Sequence, residues 1–216
     1  MLHAPIRTSL ALLALTAPLA LTASCSSTKG SVDTGLTEVS SEWVQPTETD
    51  QRLINVRAME VSVINSEDGY VELSDWFQSR GDQVYPKLLE MVATGDTRQR
   101  SFSLSVIAAL RDQRLAMPLR AAMPESALDS KGHGYEYARA LASMGDFSRL
   151  PLLIDGLQDD DIYTRALAND TLQKATRNAI PFKANATAEV RQEAVDAWML
   201  WWERQQADEL LNGSGR

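Results

Sequence analysis

Few side chains in this sequence could perform acid–base chemistry. His133 is the only histidine after residue 24, and Glu136 and Asp146 are acids of the same region. A histidine near a carboxylate can act as a general base, so these three residues would form the active site of an enzyme. The flanking glycines, Gly132 and Gly134, favour a histidine in a loop instead, and no serine lies in a nucleophile-elbow motif.

Three consecutive acids, Asp159, Asp160 and Asp161, could offer oxygen ligands to a divalent cation. Adjacent side chains point in different directions, however, and the alternating spacing with a distal glutamate that a calcium loop uses is absent. The run therefore predicts a turn and a helix cap. We expect neither a metal site nor a cofactor.

Composition narrows the functional classes. The chain has 216 residues, 44% of them hydrophobic, which is enough for one globular domain with a sizeable core. The single cysteine, Cys25, excludes an internal disulfide framework and a cysteine-based zinc cluster. With 21 Lys and Arg against 29 Asp and Glu, the net charge is −8. This balance argues against a nucleic-acid binder, because contact with phosphates needs clustered basic charge.

Residues 1–24 have the pattern of a signal peptide. Arg7 is their only lysine or arginine, they contain no acid, and their apolar stretch is too short to span a bilayer. Leu21-Thr22-Ala23-Ser24-Cys25 resembles a bacterial lipobox, although that pattern has its leucine three positions before the cysteine rather than four. The resemblance implies that Cys25 becomes a lipidated first residue. The alternative is an ordinary signal peptide with an incidental cysteine.

A lipidated Cys25 would attach the protein to a membrane of the bacterial cell envelope, because more than one acyl chain gives stable anchoring. Ser26 occupies the position at which an aspartate signals retention in the inner membrane, which favours the outer membrane in a cell with two membranes. Residues 25–50 are mostly small and polar, so they predict a flexible tether. We expect ordered structure to start near Gln51.

An internal repeat begins at Val84. One proline lies near the start of each of three apolar stretches, at spacings of 32 and 33 residues: Pro86, Pro118 and Pro151. One leucine anchors each of the helical patterns that follow, at a spacing of 31 residues: Leu110, Leu141 and Leu172. Proline fits the first turn of a helix because the amide it lacks has no intrahelical acceptor there. The repeat therefore predicts pairs of helices.

The third repeat unit resembles the short HEAT repeats of bacteria. Residues 152–161 end in the acidic turn, and Arg165, near the start of the second helix, can reach back to that turn. The first two units match less well, and Gly134 stands where Arg165 would align. The resemblance implies an all-α fold, a short α-solenoid of HEAT-like helix pairs over residues 84–178. Residues 51–83 would form a helical cap before it.

Residues 179–212 resemble the linker and final helix of HEAT-like proteins from bacterial envelopes, with 213–216 as a tail. Trp198, Trp201 and Trp202 lie on one face of that helix. They could belong to a capping helix that covers the open end of the stack, with one indole edge exposed. They could also form an aromatic platform for a sugar, a peptide or the membrane interface. We favour the cap.

Positive charge is concentrated in the middle of this acidic chain. The arginines concerned are Arg98, Arg100, Arg111, Arg114 and Arg120. They predict either solvated helix faces or a site for an acidic partner. The sequence as a whole predicts a lipid-anchored, non-catalytic envelope scaffold that binds a partner protein or peptide through the surface of an α-solenoid. The alternatives are an enzyme or enzyme subunit of the envelope and a purely structural envelope protein.

Overall fold

The protein is all-α, as the sequence predicts. The computed structural model describes residues 43–128 and 131–213, and within those ranges it contains helices and turns but no β-strand. The α-helices are α1 (Glu48–Glu60), α2 (Glu67–Ser79), α3 (Tyr85–Thr94), α4 (Thr97–Leu110), α5 (Ala116–Ala122), α6 (Glu125–Leu128), α7 (Lys131–Ser143), α8 (Leu150–Asp155), α9 (Ile162–Thr176) and α10 (Ala188–Gly213). None of these helices is long and apolar enough to cross a membrane.

The proline repeat marks the starts of helices, as expected. Pro86 and Pro151 lie in the first turns of α3 and α8, and Pro118 is the third residue of α5. The second helices of the repeat units are α4, α7 and α9, which contain Leu110, Leu141 and Leu172. The positions of prolines and leucines therefore predict the alternation of helices correctly.

The helices pack in two rows. Helices α2, α4, α7 and α9 follow one another in one row, each packed against the next. In the other row α1 packs on α3 and α3 on α5, while α8 packs on α10. Contacts of α3 with α4 and of α8 with α9 join the two rows. This order is what a stack of helix pairs requires, while the α-solenoid itself stays a prediction.

Two buried clusters of side chains hold the rows together. The first extends from α1 to α7, and Phe77 and Phe102 meet in it edge to face with their ring centroids 5.4 Å apart. The second joins α7, α8, α9 and α10 and contains Leu153, Leu172 and Trp198. Burial of apolar surface in these clusters, at about 25 cal/mol per Å², is the main force that stabilises the packed helices.

Helix α1 begins at Glu48, three residues before the predicted start of order near Gln51. The Thr47 hydroxyl caps it by accepting a hydrogen bond from the Asp50 N–H at 3.2 Å. Upstream, Trp43 packs edge to face on Tyr85 with ring centroids 5.6 Å apart. The polar composition of residues 25–50 does not predict this contact, because a single aromatic side chain of the segment makes it. Residues 25–42 of the predicted tether, with Cys25, lie outside the described residues.

Candidate functional site

Helix α10 places the predicted tryptophan face against the second buried cluster. Trp198 is fully buried and Trp202 is 9% exposed, while Trp201 is partly buried. The rings of Trp198 and Trp201 meet edge to face at 5.7 Å. Side chains this deeply packed are not free to form an aromatic platform, which supports the interpretation of α10 as a capping helix.

Two of the predicted interaction arginines bind backbone carbonyls of the protein itself. The Arg98 guanidinium donates to the carbonyl of Ile64 at 2.9 Å, just beyond the end of α1. The Arg100 guanidinium donates to the carbonyls of Val92 at 2.8 Å and Gly95 at 3.1 Å, at the end of α3. The last carbonyls of a helix lack intrahelical partners, so Arg100 satisfies the end of α3, while Arg98 binds the loop between α1 and α2. Sequence analysis had not assigned them this role.

Arg114 belongs to a polar cluster with Asp82, Tyr85 and Asp112. Its Nη2 donates to Asp112 Oδ2 at 2.6 Å, and its Nη1 lies 3.4 Å from Asp82 Oδ2. The Tyr85 hydroxyl donates to the same Asp112 oxygen at 2.8 Å. Burial and the adjacent Asp112 carboxylate raise the pKa of Tyr85 to about 12, and the hydrogen bond from Arg114 lowers the pKa of Asp112. One guanidinium faces two carboxylates, so Arg114 is held by both aspartates and the cluster keeps one excess negative charge.

Arg120 is likewise engaged, because it forms an ion pair with Asp146 and donates to Ser148 Oγ at 3.1 Å. Burial by itself would raise the pKa of Asp146, but the hydrogen bonds from Arg120 and Ser148 lower it. Asp146 is therefore an anion held by its neighbours at neutral pH.

His133 lies in helix α7, so the prediction of a loop histidine is wrong. Its side chain is buried, and Nε2 lies 3.3 Å from the Thr97 carbonyl oxygen at the start of α4. A Cβ on Gly134 would stand 3.1 Å from the Leu128 carbonyl, so glycine permits a close approach of the chain here. Of the residues of the enzyme alternative, His133 thus contacts α4, whereas Asp146 contacts Arg120 of α5.

The acidic run forms a turn and a helix cap, as predicted. Asp161 caps α9 by accepting a hydrogen bond from the Thr164 N–H at 2.9 Å, and Asp159 accepts one from the Asp161 N–H. Arg165 Nη1 donates to the carbonyls of Asp159 at 2.6 Å and Asp160 at 2.8 Å. Throughout the described ranges, no group of three or more histidines, cysteines and acids could hold a metal ion.

A groove of about 270 Å³ crosses the row of second helices α4, α7 and α9. Arg111 and Ser105 come from α4 and its end, Arg139 from α7, and Asp170 and Lys174 from α9. A smaller hollow of about 140 Å³ shares Arg139 and Leu167 with the groove and adds Tyr135 and Glu136. Arg111 is the one predicted interaction arginine that lines the groove.

The charged groups of the groove are only partly paired. Arg139 Nη2 donates to Ser105 Oγ at 3.3 Å, while its Nε is buried without a hydrogen-bond partner. Arg111 is exposed and has no side-chain hydrogen bond or ion pair with the described residues. Lys174 forms an exposed ion pair with Asp170 at 2.9 Å. The groove thus offers a ligand the guanidinium of Arg111 and the part of the Arg139 guanidinium that is neither buried nor bonded to Ser105.

Sequence analysis missed Arg139, although the repeat contains a signal for it. The 31-residue period that relates Leu110, Leu141 and Leu172 also relates other positions of the second helices. These positions form two rows across the lining, Ser105, Glu136 and Leu167 in one and Ala108, Arg139 and Asp170 in the other. Applying the period to the polar face of the helices would have identified this surface.

Comparison with known proteins returns no relative: no family model, no curated protein and no solved structure matches the chain. The HEAT-like resemblance therefore depends on the sequence motifs alone.

Proposed function

We propose that this chain is a non-catalytic scaffold of the bacterial cell envelope, anchored through a lipidated Cys25. It binds a segment of a partner protein, or a peptide, along the groove that crosses α4, α7 and α9. The observation that carries the proposal is this groove, which is built from equivalent positions of successive second helices. A stack of helix pairs, as in an α-solenoid, presents such a surface to its partners.

The lining of the groove suits a peptide chain. Ala108, Ser143 and Ala175 are small, so a peptide backbone can approach the helices closely. Leu167 is 43% exposed and offers apolar contact, while Arg111 and Arg139 offer hydrogen-bond donors. Binding sites commonly combine an apolar surface with a few placed polar groups that orient the ligand.

The enzyme alternative has weaker support. It would use His133, Glu136 and Asp146, but the imidazole of His133 contacts the Thr97 carbonyl and Asp146 is ion-paired with Arg120. A general base needs access to the proton that it removes, and His133 is only 8% exposed.

Site-specific photocrosslinking in intact cells tests the binding surface. A photoreactive amino acid replaces Leu167 in the groove or, as a matched control, Met117, which is exposed but lies outside the groove. We expect the Leu167 variant to form a crosslinked adduct and the Met117 variant to form none. Equal adducts at both positions, or no adduct at Leu167, would contradict binding in the groove.

Cell fractionation tests the anchor. The Cys25→Ser variant should leave the membrane fraction or remain unprocessed, because Cys25 is the only thiol that could carry the lipid. Mass spectrometry of the unmodified protein should detect acyl chains on its first residue. If the unmodified protein is soluble after lysis and carries no acyl chain, the lipoprotein assignment is wrong.

A further inference from the structure

We infer that the partner contributes an acidic peptide segment, and that Arg139 and Arg111 bind a carboxylate of that segment in the groove. The inference rests on the proposed function, because it specifies the chemistry of the ligand at the same surface.

Arg111 and Arg139 line the groove and differ from five other arginines of the repeat region, which bind groups of the protein itself. Arg98, Arg100 and Arg165 bind backbone carbonyls, and Arg114 and Arg120 bind aspartates. Arg139 instead makes a single hydrogen bond, of 3.3 Å, to a serine hydroxyl. Its Nε is buried, so a ligand would bind at the Nη groups, and a carboxylate accepts hydrogen bonds from such N–H groups in a planar geometry.

The charge of the groove favours an anion. Its lining contains Arg111, Arg139 and Lys174 against one carboxylate, Asp170, and the exposed Lys174–Asp170 pair largely cancels itself. Two positive charges therefore remain in the groove of a chain whose net charge is −8. A local positive field in a concave surface attracts anionic ligands and increases their rate of association.

The neighbouring hollow determines which end of the groove the carboxylate of the ligand occupies. Glu136 lines it and would repel a carboxylate at that end, so we place the carboxylate beside Arg111, toward α4. Leu167 is shared by the two spaces and contacts the apolar part of the ligand. The segment should therefore combine acidic and apolar residues.

Fluorescence anisotropy with synthetic peptides tests the ligand chemistry on the full chain in detergent. The probe is a fluorescein-labelled, amidated peptide of alternating leucine and glutamate, and its matched control carries glutamine in place of glutamate. We expect the glutamate peptide to bind at least about tenfold more tightly than the glutamine peptide, because hydrogen bonds to a charged acceptor are stronger. Free glutamate should compete only weakly, since it lacks the apolar contact.

Three variants test the location of the site. Arg139→Gln and Arg111→Gln should each weaken binding of the glutamate peptide by about tenfold or more. Arg177→Gln is the matched control, because Arg177 ends α9 as Arg111 ends α4. Both residues are exposed and have a positive φ, 56° for Arg177 and 54° for Arg111, but Arg177 does not line the groove. The control should bind as the unmodified chain does.

Some outcomes would overturn the inference. One is that the glutamate and glutamine peptides bind equally, or that neither binds. Another is that free glutamate competes as well as the unlabelled glutamate peptide does. A third is that Arg139→Gln and Arg111→Gln both bind the glutamate peptide as tightly as the unmodified chain. If Arg139→Gln alters the fold, its circular dichroism will show it, and the exposed Arg111 then decides the location. An adduct at Leu167 without glutamate-peptide binding would leave the proposed function in place and reject only the acidic ligand.

Discussion

Arg100 and Arg165, 65 residues apart, make the same kind of contact in two different helix pairs. Each lies in the first turn of a second helix and donates hydrogen bonds to backbone carbonyls of the preceding turn. In the middle unit the aligned residue is Gly134, which packs closely against the Leu128 carbonyl instead. Because the contact ties the first turn of the second helix to the chain that follows the first helix, it links the two helices of a pair.

Replacing Arg165 should destabilise the protein substantially. Its guanidinium also donates to the Ala184 carbonyl at 2.7 Å, so Arg165→Leu would leave several carbonyls without a partner. We expect a loss of about 3 kcal/mol in the free energy of unfolding, measured by urea denaturation. Arg165→Lys should recover only part of it, since an ammonium cannot reproduce the planar fork. Arg177→Gln, at an exposed site, should change stability by less than about 0.5 kcal/mol. Equal effects of Arg165→Leu and Arg177→Gln would contradict the role of Arg165.

The tryptophans of α10 should differ in their contribution to stability according to burial. Trp198→Ala should cost about 3–5 kcal/mol, because it empties a fully buried site in the second cluster. Trp198→Phe should cost much less, since the buried indole N–H has no hydrogen-bond partner to lose. Trp201→Ala should have a smaller effect than Trp198→Ala, because Trp201 is only partly buried. Thermal or chemical denaturation of the three variants provides the ranking.

Removing α10 by truncation after Pro181 gives a second test of its capping role. The truncated chain should aggregate or melt at a much lower temperature, because the second buried cluster would be exposed. A truncated chain that stays folded and soluble but loses its partner would instead identify α10 as an interaction element.

Stability should fall at alkaline pH because of Tyr85. The pKa of this tyrosine rises from 10.0 to about 12 on folding, so only the unfolded chain loses the proton between these values. The contribution of Tyr85 is therefore complete below pH 10 and decreases by about 2 kcal/mol as the pH rises toward 12. The phenylalanine of Tyr85→Phe cannot ionise. The difference in free energy of unfolding between this variant and the unmodified protein should therefore shrink over this pH range. A constant difference in urea midpoints between about pH 8 and 11 would contradict the assignment.

Replacing Arg177 by glycine should stabilise the protein. It ends α9 with a φ of 56°, a left-handed conformation in which glycine avoids the steric cost of a Cβ. We expect Arg177→Gly to raise the free energy of unfolding by about 0.5–1 kcal/mol. Glu193→Gly, at an exposed position inside α10, should lower it by about 1 kcal/mol. If both glycine variants are destabilised, the left-handed conformation of Arg177 carries no strain.

The helices themselves could be predicted from the sequence because the interactions that start and end them are local. Pro86 and Pro151 mark first turns, and Asp161 caps the helix that follows it within three residues. The apolar periodicity of α10 likewise predicted that Trp198 and Trp202 share a buried face. These properties depend on neighbours within one or two turns of the chain, which sequence patterns record.

The partners of the charged side chains were decided by tertiary structure. Arg98 binds a carbonyl 34 residues away, and Arg139 binds Ser105 at the same separation. His133 was misassigned because its flanking glycines suggest a loop locally, whereas packing of α7 against α4 buries it. The groove exists only because core packing brings α4, α7 and α9 side by side. Which arginine is left to bind a ligand therefore depends on contacts between residues that are distant in the chain.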